Sequence, residues 1–125
     1  MKTHRPVNLN LIKFHFPITA ISSIFHRISG IIIFIMLGIA LWLLDLSLSS
    51  AEGFMQVVSI MDSFFARFVK WIMLTLLTYH VISGIRYVLM DFGYLAENLA
   101  AGIRSTKIVF FITIVISILV GFAIW

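Results

Sequence analysis

The sequence has no cysteine, so this chain cannot build a disulfide framework, a thiolate metal site or an iron–sulfur cluster from its own side chains. Charge is also scarce. Only 11% of the 125 residues are charged, where a soluble domain carries roughly a quarter. With 62% hydrophobic residues and a mean hydropathy of +1.13, there is too little polar surface to cover a water-facing globule. The surrounding medium is therefore lipid, and the length allows one domain, residues 1–125. The net charge of +4 does not read as a nucleic-acid signature. Its basic residues are spread along the chain, mostly where apolar segments end, and no polar domain presents them.

What is present is long apolar runs. A spanning helix needs ~20 mostly apolar residues, and three stretches qualify: about 23–46, 64–90 and 108–125. The expected fold class is all-α, a three-helix integral membrane protein. The first run is too long for the core of a signal peptide and is read as a retained helix. Pro17 suits a first helical turn, so that helix, or a short surface helix leading into it, can begin there. "SLSSAEGF" and the segment to Asp62 form one polar connector, and "DFGYLAENLAAGIRSTK" the other, with a short interfacial helix conceivable in its middle. No internal repeat or low-complexity tract stands out.

Lys and Arg set the expected orientation. Lys2, Arg5, Lys13 and Arg27 precede or open the first helix, and Arg86, Arg104 and Lys107 flank the second connector. The first connector has only Arg67 and Lys70 nearby, just inside the second helix, where long basic side chains reach back to the interface. This predicts an N-terminus in the cytoplasm (or a mitochondrial matrix) and a C-terminus on the other side.

Ionisable groups at depth cost energy, about 2.5–3.5 kcal/mol for Arg or Lys at helix centre on insertion scales. His80 is the deepest of them. Ten residues separate it from Met90, roughly 15 Å of helix rise, which places it near mid-bilayer. Neutral imidazole is the usual metal- and haem-ligating form, and lipid favours it. In "YHVISGIRY", Gly84 follows His80 by one turn and leaves a notch for a macrocycle or another helix. A ligand role and a packing role both fit this local pattern. Counted by rise per residue, His26 falls about half a membrane away from His80, so the two are not expected to share an iron. If His80 holds a haem through two histidines, the other comes from another chain.

The stretch "SIFHRISG" sets Ser23, His26 and Arg27 at the start of the first helix, with Ser23 three and four positions from the other two. An Arg there meets the positive end of the helix dipole, which suggests a compensating anion. Lipid phosphate, haem propionates and a polar quinone head group are all candidates. Arg86 and Asp91 share that membrane level and can pair or join the same cluster.

"RPVNLNLIKFHFPITAISSIFHRISG" and "YHVISGIRYVLMDFGY" together resemble the two signatures of the membrane-anchor (cytochrome b556) subunits of succinate dehydrogenase, in their enterobacterial form. The likeness runs over nearly the whole chain. It implies that His80 is an axial ligand of haem b, with the other axial His on a second membrane-anchor subunit. It implies that Ser23 and Arg27 line a ubiquinone pocket beside an iron–sulfur subunit, and that His26 and Arg27 lie at the haem. It further implies a flavoprotein subunit that oxidises succinate, a bacterial inner membrane, and a part in the respiratory chain and tricarboxylic acid cycle. Many members of the family carry His directly after the Gly-x-Arg, where this chain has Tyr87.

Other functions remain to be weighed. A cofactor-free anchor of a soluble oxidoreductase would use His80 for packing alone, and an anchor of a fumarate reductase would run the reverse reaction. A channel or transporter subunit would need polar groups spread through the membrane, but "IVFFITIVISILVGFAIW" has no polar face. Ser117 and Gly121 there suit close packing, Trp125 an interfacial anchor, and Trp42 and Trp71 packing or lipid contact.

Overall fold

The computed structural model describes residues 18–96 and 98–125, and the regular structure among them is entirely α-helical. Four helices follow in order: α1 (Ile18–Ser49), α2 (Ala51–Asp62), α3 (Phe64–Asp91) and α4 (Leu99–Ile124). Three of them, α1, α3 and α4, are long and apolar enough to cross a membrane. His4, His15, Pro17 and the basic residues Lys2, Arg5 and Lys13 lie outside the described residues.

In lipid a backbone must satisfy its own hydrogen bonds, so these apolar runs are helical almost by necessity. The informative positions are the breaks. Ser50, extended at φ −166°, ends α1's run and caps α2, its hydroxyl accepting from Gly53 N–H at 2.9 Å. Ser63 caps α3 in the same way through Ala66 N–H at 3.2 Å, and Asn98 caps α4 through Ala101 N–H at 2.8 Å. The end of α3 is a Schellman turn. Gly93 takes φ +79°, its N–H donates to Met90 C=O at 3.1 Å, and Tyr94 N–H donates to Leu89 C=O at 2.9 Å. That left-handed position is why "DFGY" needs its glycine.

Two helix boundaries differ from the sequence expectation. The first connector folds as α2, a short helix that begins at the Ser50 cap. And α4 opens at Leu99, because the Asn98 cap starts the helix before the fully apolar run does. Arg104 and Lys107 therefore project from its exposed first turns.

α3 is the central element, packed on α1 and on α4. The interior is the reverse of a soluble core. Among the described residues the buried side chains are mainly Ser22, Ser29, Ser83, Arg86, Thr106 and Thr113, with only Tyr79 and Val109 as buried apolar residues. Phe34, Phe111 and Phe122 face outward. Lipid is as apolar as leucine, so helices associate through small residues and hydrogen bonds rather than through hydrophobic burial. Two such clamps hold α3. Away from the site, the Trp71 indole N–H donates to Ser117 C=O at 2.8 Å and lies against Gly121. Thr75 gives its proton to Trp71 C=O at 2.9 Å, so the 2.8 Å contact with Ser117 has Ser117 as donor. At the other end, Tyr79 O–H donates to Ser22 C=O at 2.7 Å and accepts from the Ser22 hydroxyl at 3.0 Å. Ser117 and Gly121 thus do the packing work expected of them, and Trp71 is a packing residue. Arg67 reaches back to Asp62 at 4.0 Å, an exposed pair at the α2–α3 end.

Candidate functional site

The antiparallel packing of α1 and α3 brings His26 and His80 into contact. Their rings stack with centroids 4.2 Å apart and planes 2° from parallel. This corrects the depth expected from sequence. That estimate began the first helix near Ser23, whereas α1 is already helical at Ile18, so His26 sits deeper and level with His80.

Each ring rests against a glycine of the other helix. A Cβ built on Gly30 would lie 3.0 Å from His80 Cε1, and one on Gly84 would lie 3.8 Å from His26 Nε2. The two segments are "HRISG" and "HVISG", identical at four of five positions. Packed antiparallel, they form a local two-fold pair of His-x-Ile-Ser-Gly elements. This short echo is an internal repeat, five residues long, that becomes visible as one only when the two helices are paired. It was the available signal that the two imidazoles meet.

The symmetry breaks at the serines. Ser29 donates its only proton to His26 C=O at 2.8 Å, so in its 3.0 Å contact with His80 Nδ1 it must accept. His26 C=O also lies 3.3 Å from that nitrogen and, as a carbonyl, can only accept. Both contacts therefore fix His80 as the Nδ1–H tautomer with a bare lone pair on Nε2. This is the form in which a histidine binds a metal, with its other nitrogen held by an acceptor behind it. The counterpart Ser83 is fully buried, and its hydroxyl finds no partner among the described residues; neither does His26 Nε2.

These residues fit one side of a haem site. His80 offers an oriented neutral imidazole, Gly30 leaves its ring no Cβ neighbour, and His26 keeps a buried nitrogen unpaired. Rings stacked face to face in nearly parallel planes 4.2 Å apart cannot point their in-plane lone pairs at each other from opposite sides of one metal. His26 and His80 together therefore do not make the two axial positions of a single iron.

The other candidates lie at the same end. Ser23 lines a cavity of about 260 Å³ with Thr19, Arg86, Tyr87 and Asn98. Arg27 is exposed and does not line it, so within this chain the two are not joined in one cavity. Arg86 is only 5% exposed and bonds to neutral acceptors of α4, Ser105 Oγ at 2.8 Å and Gly102 C=O at 3.3 Å. Asp91 is not its partner: five positions along a helix do not share a face. The Arg86 guanidinium also lies 5.2 Å from the Tyr87 ring centroid, and that ring meets His26 edge-on at 5.3 Å.

The polar interior, the paired glycine-histidine elements and the three spanning helices define a multi-pass membrane protein with histidines gathered between its helices. The chain belongs to the family described as succinate dehydrogenase/fumarate reductase transmembrane subunit, which its residues 1–120 match. It is 38% identical, over 126 aligned positions covering the whole of both chains, to a Coxiella burnetii (strain RSA 493 / Nine Mile phase I) protein named succinate dehydrogenase cytochrome b556 subunit. It is thus a multi-pass membrane protein of that family.

Proposed function

We propose that this chain is the haem-binding membrane anchor of a succinate:ubiquinone oxidoreductase in a bacterial inner membrane, with its N-terminus cytoplasmic. In this reading a flavoprotein subunit oxidises succinate, an iron–sulfur subunit carries the electrons to ubiquinone, and a second membrane anchor would supply the other histidine that holds the haem. The observation that carries the reading is the His80 tautomer, fixed by Ser29 and the His26 carbonyl so that Nε2 is bare. The cytochrome name of the Coxiella relative supports the same assignment. Bound at His80, haem b would supply a one-electron store beside the quinone site.

This chain's own groups have defined tasks. His80 Nε2 would hold the haem iron. Ser29 holds its proton on Nδ1 and its ring in place. Ser23, on the cavity wall, donates its hydroxyl to a quinone carbonyl oxygen. Arg27, exposed one turn further along α1, sets positive charge at the face where partner chains complete the site. There it stabilises negative charge developing on the quinone oxygen. Its exposure in the isolated chain agrees with a pocket shared between subunits.

The test is a reduced-minus-oxidised spectrum of the purified complex, with its co-purifying polypeptides identified. Native complex is expected to carry a low-spin b-type signal that His80→Ala removes. A native complex without pigment, or a variant that keeps its spectrum unchanged, refutes the assignment.

A further inference from the structure

α4 carries a pair of cations that the histidine site does not use. Arg104 and Lys107 are three positions apart, both exposed, and share one face of the helix. That face is turned away from the bundle, because Gly102, Thr106, Val109 and Thr113 mark the buried side. The one ion pair among the described residues joins Arg67 to Asp62, so no described carboxylate answers Arg104 or Lys107. The same outer face continues as an apolar stripe. Phe111, Ile114, Ile118 and Phe122 follow Lys107 at helical spacing, each more than half exposed. The helix closes at Trp125, whose ring packs on Phe64 with centroids 4.9 Å apart. Eighteen positions separate Lys107 from Trp125, roughly 27 Å of helix rise, against a hydrocarbon thickness of about 30 Å. Two cations at one end and an aromatic anchor at the other thus bracket one membrane thickness on a single helix.

We propose that Arg104 and Lys107 form a clasp for the phosphate of an anionic phospholipid, in the leaflet on the side where α4 begins. Its acyl chains lie along Phe111, Ile114, Ile118 and Phe122. Residues three apart on a helix have Cβ atoms about 5–6 Å apart, so both cationic heads reach one phosphate group. The guanidinium offers it two parallel N–H donors and the ammonium a point charge. The methylene stems of both side chains lie on the stripe while their charges stay at head-group level. Two cations without a described carboxylate favour a lipid of net negative charge over a zwitterion, which brings its own ammonium. The clasp is separate from the cavity at Ser23. Gly102, which lines that cavity, stands two positions and so about half a turn around α4 from Arg104. The proposal therefore stands or falls independently of haem and quinone.

The protein is purified from membranes in mild detergent with its co-purifying polypeptides. It is then exchanged into mixed micelles holding equal phosphatidylglycerol and phosphatidylcholine, and the lipids retained after gel filtration are counted by mass spectrometry. Native protein is expected to retain phosphatidylglycerol preferentially. Arg104→Gln and Lys107→Gln each lower that preference about 5-fold, and the double variant about 25-fold. Both side chains are exposed, so these changes leave the packing of α4 intact. Arg104→Lys keeps most of the preference and Arg67→Gln, whose charge Asp62 already answers, keeps all of it. A double variant with native lipid preference overturns the clasp. So does an equal loss in Arg67→Gln, which would mean diffuse positive charge and no site. Loss of a co-purifying polypeptide with the lipid preference unchanged would give this face to a protein partner and also overturn it.

Discussion

Ser29→Ala tests the histidine lock directly. Ser29 is 1% exposed, so water does not take over when its hydroxyl is removed. The variant loses the 3.0 Å contact to His80 Nδ1 and the 2.8 Å bond to His26 C=O. A neutral hydrogen bond contributes about 0.5–1.5 kcal/mol net, equivalent to roughly 2- to 12-fold in an equilibrium. Removing an outer partner of a metal-bound histidine typically costs about 10- to 100-fold in affinity. Here the smaller figure wins. The His26 carbonyl already sits 3.3 Å from Nδ1 and, freed from Ser29, becomes the remaining acceptor. The expected result is about 3- to 5-fold faster haem transfer from the purified complex to excess apomyoglobin, with the native rate largely restored in Ser29→Thr. An alanine variant that releases haem at the native rate would falsify the claim that Ser29 holds the ligand. So would a loss that threonine does not repair.

Three further outcomes are expected. Arg27→Leu slows quinone reduction about 10-fold or more while succinate oxidation by a soluble acceptor in the same membranes persists; wild-type quinone turnover would remove Arg27 from the site. Gly30→Val sets atoms where even a Cβ lies 3.0 Å from His80 Cε1, so haem content per complex falls. Gly38→Val, with nothing within 4 Å, leaves that content unchanged, and equal losses in both would disprove the close-approach argument. A reporter fused after Trp125 is active on the side opposite the N-terminus, and activity in the cytoplasm would overturn the orientation.

The fold was legible because lipid leaves few choices. Apolar runs of spanning length become helices, while the caps that set their ends, Ser63 and Asn98, and the Gly93 turn became plain only in the structure. The candidate residues could be picked by type, and the structure gathers His80, His26, Ser23 and Arg86 toward one end of the bundle. The contact between the histidines was not legible. Depth was counted from helix ends, and an error of one turn and a half at the start of α1 moved His26 by a large fraction of a leaflet. The five-residue echo carries that information without any depth estimate, since antiparallel copies of one motif pair naturally. The partner of Arg86 was also hidden, because Ser105 lies in a stretch that reads as a connector until the Asn98 cap is recognised as starting α4.

The unsatisfied groups say more about the assembled state than the satisfied ones. Among the described residues, His26 Nε2, Ser83 Oγ, Tyr87 Oη and Thr106 Oγ1 are buried without partners. All four lie toward the end of the bundle where α1 and α4 begin and α3 finishes. The opposite end is closed by Trp71, Thr75 and Ser117, each bonded. An unmade buried hydrogen bond costs about 1–3 kcal/mol, so among the described residues these four atoms are a concentrated destabilisation. Packing defects would scatter through the thickness of the membrane. Concentration at one end, around an oriented imidazole and a buried guanidinium, is the pattern left when ligands and neighbouring subunits provide the missing partners. On the proposed function, the same atoms would make the folded chain depend on its cofactor and its companions.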